Sequence, residues 1–260
     1  MDSCAVCFKP ASLRCSSCSQ AGVNLVFCSQ EHQKLVWSAH KRVCGSKSNS
    51  CFPFIHPPLT QFEADEGKRT LTNSGHPFAE LMGGAAFGPV TLWDGLKSAG
   101  VRREQVEAVL DTLTLPQAQW RLPPNIVVSA QQVIRTVRYY RVQNSTGKPF
   151  FDPFSLLADW DVGFGTAGRM KGKLINEYLE PYYSEMCHRA LCFYAAMGKK
   201  AAEMGTGPAF QAELKREFLQ WKAAMGVIVK RNKPEVLEFV EYGMSSSYDA
   251  MRGETFGMSR

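Results

Sequence analysis

Residues 4–44 read CAVCFKPASLRCSSCSQAGVNLVFCSQEHQKLVWSAHKRVC, and they contain six cysteines and two histidines. These eight residues fall into four short-range pairs. Two pairs have the Cys-x2-Cys spacing, and the other two have the i, i+4 spacing that places both side chains on one face of a helix. The spacing therefore predicts two tetrahedral zinc sites, each closed by two pairs. The pairs are Cys4 with Cys7, Cys15 with Cys18, Cys28 with His32, and His40 with Cys44.

Zinc accepts both thiolate and imidazole ligands, at roughly 2.0 to 2.3 Å and without a directional preference. Each predicted site can therefore be Cys3His. Because all eight candidate ligands are used, no coordination position remains for water or a substrate. We expect two structural zinc ions and no zinc-catalysed reaction.

Phe27-Cys28, His32-Gln33, Trp37, His40-Lys41 and Cys44 resemble the second half of the MYND zinc finger. That family usually has cysteine at the position of His32, so one zinc ligand replaces another. Spacing alone also permits RING-like and other double-zinc modules. The resemblance implies a small cross-braced α+β finger with a short hairpin and helices. It implies Cys4, Cys7, Cys28 and His32 for the first zinc, and Cys15, Cys18, His40 and Cys44 for the second.

The resemblance also implies a binding surface at Gln33 and Trp37. In MYND domains that recognise proline-containing peptides, the matching Gln and Trp lie on the binding face. The two residues are one helical turn apart, so they share a face. An indole that stacks on proline rings, beside an amide that bonds the peptide backbone, suits a polyproline-like segment. The alternative is that Trp37 only packs the small core between the zinc ions.

Pro53-Phe54-Ile55-His56-Pro57 approximates the Pro-x-Leu-x-Pro ligands of some MYND domains, with Ile55 in place of Leu. Eight residues separate Cys44 from Pro53. They can extend about 28 Å, which is enough to fold back on a module of this size. We therefore consider a cis ligand at Pro53, Ile55 and Pro57 that inhibits the finger, against the alternative of a stiff linker.

The 260 residues have a globular composition, with 45% hydrophobic and 21% charged residues. Six of the nine cysteines precede residue 45. Such clustering is typical of metal binding in a reducing compartment. No apolar stretch follows Met1, and no segment is long enough to span a bilayer. We expect a soluble nuclear or cytoplasmic protein that is neither secreted nor membrane-bound.

We predict three regions: a finger at 1–46, a Pro/Ser-containing linker at 47–75, and a mainly α-helical domain of unknown type at 76–260. Apolar residues beyond residue 75 recur with helical spacing. Pro181, Pro208 and Pro234 stand at plausible helix starts.

Two further motifs admit a structural interpretation. Gly163, Gly165 and Gly168 satisfy G-x-G-x-x-G, but no βαβ pattern surrounds them, which favours an interhelical loop over a nucleotide site. Cys187 and Cys192 would point about 140° apart on a helix. We expect them in a packed core, with His188 at its periphery.

These observations favour a zinc-binding adaptor for protein partners, and a transcriptional regulator is a further option that is compatible with this behaviour. An enzyme with its chemistry in the helical domain is the alternative. A SET methyltransferase is disfavoured, because the finger starts at residue 4 and no Asn-His-Ser-Cys type signature follows. The net charge is +6, but the basic residues form no dense stripe with interleaved aromatic residues in the sequence. This pattern disfavours direct nucleic-acid binding. We assign no catalytic residues.

Overall fold

A computed structural model describes residues 2–45, 56–72, 96–97, 101–146, 149–170 and 180–253. The chain divides into two compact units. The first contains Met1–Ile55 and Phe151–Tyr248, and the second contains His56–Phe150 and Asp249–Arg260. The predicted finger therefore shares a compact unit with helices from the C-terminal part of the chain. The predicted boundaries near residues 46 and 75 lie outside the described residues.

The described elements are short strands near the N-terminus and helices after them. In chain order they are β1 (Leu13–Arg14), α1 (Ser16–Gln20), β2 (Val26–Phe27), α2 (Gln30–His40), α3 (Gln61–Thr72), α4 (Val106–Thr112), α5 (Pro124–Thr146), α6 (Pro153–Met170), α7 (Pro181–Met204), α8 (Pro208–Asn232) and α9 (Leu237–Arg252). Turns of 3-10 helix precede α4, α5 and α9. The predicted fold class, a small hairpin-and-helix finger followed by a mainly helical region, is confirmed. No helix in these described stretches is both long and apolar enough to cross a membrane.

The finger has a two-stranded antiparallel hairpin, in which Leu13 lies opposite Phe27 and Arg14 opposite Val26. Its apolar core is small and includes Val26, Phe27 and Val36, all fully buried. So short a segment buries too little apolar surface to fold without a further constraint. The zinc ligands supply that constraint.

Helix α7 is the central element of the first unit. Residues 182–194 are all buried, and α2, α6 and α8 pack against this helix. A helix that is buried all round belongs in a core. Its start at Pro181 and the start of α8 at Pro208 confirm two predictions, because proline suits the first helical turn. Pro234 begins the 3-10 turn before α9.

Stacked aromatic rings join the helices of this unit. Phe193 and Trp221 stack with ring centroids 4.4 Å apart, which connects α7 to α8. Trp160 and Tyr183 stack at 5.7 Å and connect α6 to α7. Such pairs stabilise a core beyond the burial of their area, by about 0.5 to 1.5 kcal/mol each.

The G-x-G-x-x-G motif lies inside α6, so the expected interhelical loop is wrong. The reason is close helix packing. A Cβ on Gly163 would lie 3.1 Å from the Cα of Gly243 on α9, and a Cβ on Gly243 would lie 2.8 Å from the carbonyl oxygen of Trp160. Glycine is used here because the two backbones approach each other, not because a phosphate needs a cradle.

The second unit contains α5, with α3 and α4 packed against it. Arg135 of α5 is fully buried, and its Nε donates to Glu63 Oε1 over 3.1 Å. Its Nη2 donates to the carbonyl oxygen of Pro57 over 3.0 Å. The guanidinium therefore joins α5 to α3 and to the segment that precedes it.

Helix α3 occupies part of the stretch predicted as a linker, so that part of the prediction misses a helix. Thr60 and Glu63 form a capping box: the Thr60 N–H donates to Glu63 Oε2 over 2.7 Å, and the Glu63 N–H donates to Thr60 Oγ1 over 3.2 Å. The Thr-x-x-Glu spacing was the available sequence signal. Pro57 and Pro58, just before this helix start, are typical of an extended segment.

Candidate metal centre

A backbone turn fixes the pair Cys4 and Cys7. The N–H of Cys4 donates to the carbonyl oxygen of Lys9 over 2.8 Å, and the N–H of Phe8 donates to that of Cys4 over 3.1 Å. Phe8 has a φ of 61°, a left-handed conformation that is uncommon outside glycine. The N–H of Val6 donates to Cys4 Sγ over 3.4 Å. The turn therefore brings both sulfurs together and also provides a backbone hydrogen bond to the sulfur of Cys4.

The hairpin and α1 position the second pair. The N–H of Cys15 donates to the carbonyl oxygen of Leu25 over 3.0 Å, which extends the pairing of β1 with β2 by one bond. Cys18 lies within α1, three residues further along the chain. Both cysteines are buried.

Helix α2 supplies one histidine to each cluster. Ser29 caps its N-terminus, where the Ser29 Oγ accepts a hydrogen bond from the His32 N–H over 3.3 Å. His32 lies in the first turn and His40 is the last residue of the helix. One rigid element therefore sets the separation between the two sites.

The first cluster contains Cys4, Cys7, Cys28 and His32, with their ligand atoms within 4.8 Å of one another. Nδ1 of His32 lies 3.1 Å from Cys28 Sγ and 3.6 Å from Cys4 Sγ. The sulfurs of Cys7 and Cys28 are 3.5 Å apart. This histidine thus presents Nδ1 to the site.

The second cluster contains Cys15, Cys18, His40 and Cys44. Nε2 of His40 lies 3.5 Å from the sulfurs of both Cys15 and Cys18. Cys44 Sγ is 3.5 Å from Cys15 Sγ and 3.9 Å from Cys18 Sγ. The second histidine presents Nε2, the opposite nitrogen to that used by the first.

These distances fit zinc. Tetrahedral coordination with bonds of roughly 2.0 to 2.3 Å separates ligand atoms by about 3.3 to 3.8 Å, and the contacts above run from 3.1 to 3.9 Å. The two clusters interleave along the chain, which is the cross-braced arrangement. Each offers three thiolates and one imidazole, so two zinc ions would be held by protein ligands alone, as structural sites are.

The thiols of the two clusters differ in their pKa values. Although burial opposes ionisation, backbone N–H groups of Cys7, Val6 and Cys28 and the His32 side chain lower the pKa of Cys4 to about 7. Burial, with the sulfurs of Cys28 and Cys4 nearby, raises the pKa of Cys7 to about 12. Hydrogen bonds from Cys18 and Cys44 lower the pKa of Cys15. The lowered pKa values of Cys4 and Cys15 favour the thiolate form that zinc requires, and metal binding releases the protons that remain.

The two clusters differ in exposure. In the second, Cys15, Cys18 and His40 are buried and Cys44 is half-buried. In the first, only Cys4 is buried, and Cys28 is exposed. Solvent reaches the first cluster more easily.

The interleaved pairing of eight ligands agrees with a comparison of the sequence with protein families. Residues 4–44 match the model of the MYND finger. This segment is a MYND finger. The rest of the chain matches no family model, and no curated protein or solved structure matches the chain. MYND fingers are generally protein-interaction modules.

The MYND finger is bound to α7 through polar residues that the sequence analysis did not identify. Nη1 of Arg189 donates to the carbonyl oxygen of Ser3 over 2.9 Å, and Nη2 donates to that of Asn24 over 3.3 Å. Its Nε donates to Glu185 Oε1 over 3.0 Å. Arg189 is thereby buried with its charge paired.

His188 belongs to the same interface. Its ring lies edge-on to that of the zinc ligand His40, with centroids 5.6 Å apart. His188 is fully buried, so its expected peripheral position is wrong, whereas the expected core positions of Cys187 and Cys192 are confirmed. Glu185, His188 and Arg189 have the i, i+3 and i+4 spacing of one helix face, and their polarity is typical of a solvated face. The finger covers that face.

The two predicted partner-binding residues lie on α2. Trp37 is 44% exposed, and its ring meets the His40 ring edge-on with centroids 5.8 Å apart. Gln33 is half-buried one turn earlier. Neighbouring Val36 and Ala39 are buried.

The predicted cis ligand remains a prediction. Pro53 and Ile55 lie outside the described residues. Pro57 is buried in the second unit, where its carbonyl oxygen accepts the hydrogen bond from Arg135.

Proposed function

We propose that this chain is a zinc-dependent adaptor that binds proline-containing peptide segments of protein partners through Gln33 and Trp37. The observation that carries the proposal is the 44% exposure of Trp37 on a helix whose residues Val36 and His40 are buried. An exposed indole offers an apolar face together with a polar N–H, a combination that is enriched at protein interfaces.

Polyproline segments suit this surface. Their extended helix exists before binding, so little conformational entropy is lost when they dock. Proline rings would pack on the flat indole of Trp37. The Gln33 amide has both a donor and an acceptor, which can bond the peptide backbone.

Zinc contributes to this surface only by holding its residues in place. His40 is a ligand of the second cluster, and its ring supports the edge of the Trp37 ring. Metal binding therefore fixes the last turn of α2. The proposal includes no catalytic role, because each cluster has four protein ligands.

An adaptor and a transcriptional regulator would use this surface in the same way. Nuclear enrichment of the chain would favour the regulator. A cytoplasmic distribution would favour the adaptor.

The test is a fluorescence anisotropy titration of the full zinc-loaded chain with a labelled peptide that contains Pro-x-Leu-x-Pro. Trp37→Ala is compared with Leu13→Ala, an exposed apolar position of the finger that lies outside α2. We expect Trp37→Ala to weaken binding about tenfold or more, as for an interface hot spot. Leu13→Ala should change little. Equal affinities for both variants, at confirmed equal zinc content, would contradict the proposal.

A further inference from the structure

A groove of about 490 Å³ lies between the first zinc loop of the finger and α8. Its volume falls within the range of ligand pockets, about 300 to 1,000 Å³. Phe8 and Lys9 contribute from the finger, and Ala223, Val227 and Arg231 contribute from α8. No residue of α2 lines it, so it is distinct from the surface at Gln33 and Trp37.

The exposed charged side chains that line the groove are positive. Its two acidic residues are neutralised within the protein: Glu185 pairs with Arg189 at 3.0 Å, and Asp2 pairs with Arg14 at 3.0 Å. Lys9 and Arg231 are both exposed. Within the described part of the chain, neither of these two residues has a salt bridge. The charge of Arg231 helps to stabilise the Glu185 carboxylate, but both cations are exposed and accessible to an external anion.

One wall of the groove is apolar and uncovered. Ala223 and Val227 are one turn apart on α8, and Val227 is 64% exposed. Leu219, a further turn towards the N-terminus, is 57% exposed. A continuous apolar stripe that borders a cavity and two cations is typical of an interaction surface.

We propose that this groove binds an acidic peptide segment of a partner protein. Apolar side chains of the peptide contact Ala223 and Val227, and its carboxylates pair with Lys9 and Arg231. The charge argues for this occupant, because a basic segment would meet two exposed cations of its own sign. Since Phe8 and Lys9 follow the ligand Cys7, zinc binding shapes one wall of the groove.

The experiment uses the full zinc-loaded chain and a fluorescein-labelled peptide that alternates Leu with Asp. Two control peptides alternate Leu with Lys and Ser with Asp. Affinities are measured by anisotropy for Lys9→Glu and Arg231→Glu. Lys215→Glu is the matched variant, because it makes the same charge change at an exposed position of α8 outside the groove. All three positions are exposed, so the fold should tolerate each change.

We expect the Leu/Asp peptide to bind most tightly, and Lys9→Glu and Arg231→Glu each to weaken it about tenfold, against less than about twofold for Lys215→Glu. Trp37→Ala should leave this affinity unchanged, which separates this inference from the proposed function. Absence of binding, an equal response to Lys215→Glu, or equal binding of the Leu/Lys peptide would overturn it. Two other outcomes would also overturn it: tighter binding of single-stranded DNA through the same cations, or a dimer of this chain that Val227→Glu dissociates.

Discussion

The guanidinium of Arg189 donates a hydrogen bond to the backbone carbonyl oxygen of Ser3 over 2.9 Å. This contact connects α7 to the start of the finger. Arg189 also binds Asn24 and Glu185, and it is almost completely buried. The finger is therefore part of a larger folded unit, and its stability depends on residues far away in the sequence.

Replacement of Arg189 by Met should destabilise the first unit by about 3 to 5 kcal/mol, because it leaves the carboxylate of Glu185 buried without its partner. Burial already raises the pKa of Glu185, and Arg189 opposes that rise. Urea unfolding of the zinc-loaded chain, followed by tryptophan fluorescence, measures the loss. The double variant Arg189→Met, Glu185→Leu should lose less than Arg189→Met alone. An unchanged unfolding midpoint in Arg189→Met would show that the pair is dispensable.

The two zinc ions should leave the protein at different rates. Water and chelators reach the first cluster through exposed Cys28, whereas three ligands of the second are buried. A colorimetric chelator should therefore remove zinc in two phases of equal amplitude, with the first about tenfold faster or more.

His32→Cys and His40→Cys assign these phases, because thiolate preserves zinc binding at either site. The His32 variant should change the fast rate alone, and the His40 variant the slow rate alone. A single phase, or a slow phase that responds to His32→Cys, would refute the assignment.

Acid should remove a defined part of the stability of the second unit. Burial of Glu63 opposes ionisation, but Arg135 and Thr60 outweigh it and lower the pKa of Glu63 to about 2 from 4.5. A carboxyl with a depressed pKa stabilises the folded state above its unfolded pKa, and this contribution is lost as the pH falls through the folded value. The window therefore runs from pH 4.5 down to about 2.

Wild type and Glu63→Gln should differ in free energy of unfolding by about 3 kcal/mol at neutral pH. The difference should shrink across that window and vanish below it. Urea titrations at several pH values measure it. A difference in free energy of unfolding that stays constant with pH would mean that ionisation of Glu63 does not cause it.

Two glycine substitutions should act in opposite directions. Gly243→Ala places a methyl group 2.8 Å from the Trp160 carbonyl oxygen and should destabilise the chain by about 1 to 3 kcal/mol. Gly226→Ala, inside α8 with nothing within 4 Å, should stabilise it by about 0.5 to 1 kcal/mol. Thermal unfolding of both variants tests the close packing of α6 on α9. The same sign for both would argue against it.

The sequence was sufficient for the parts of the fold that depend on local spacing. The cysteine and histidine pairs predicted both metal clusters, and the family resemblance implied the pairing that the structure has. Prolines 181 and 208 marked helix starts correctly, because proline acts on its own backbone.

The parts that the sequence did not predict depend on distant partners. Arg189 and His188 are polar, and they are buried where Ser3 and His40 of the finger approach α7. Gly163 in α6 has its reason in Gly243, on another helix. No local pattern contains such pairings, which form only when the helices pack.

The central claim is that the exposed face of α2 binds proline-containing segments. The most direct measurement is a nitrogen-15 NMR titration of the full zinc-loaded chain with the Pro-x-Leu-x-Pro peptide. A Trp37→Phe variant assigns the Trp37 indole signal among the five tryptophans. The account predicts that the Trp37 indole and the Gln33 side-chain amide shift together in proportion to peptide bound. Unchanged signals at both residues under saturating peptide, or shifts confined to other surfaces, would contradict it.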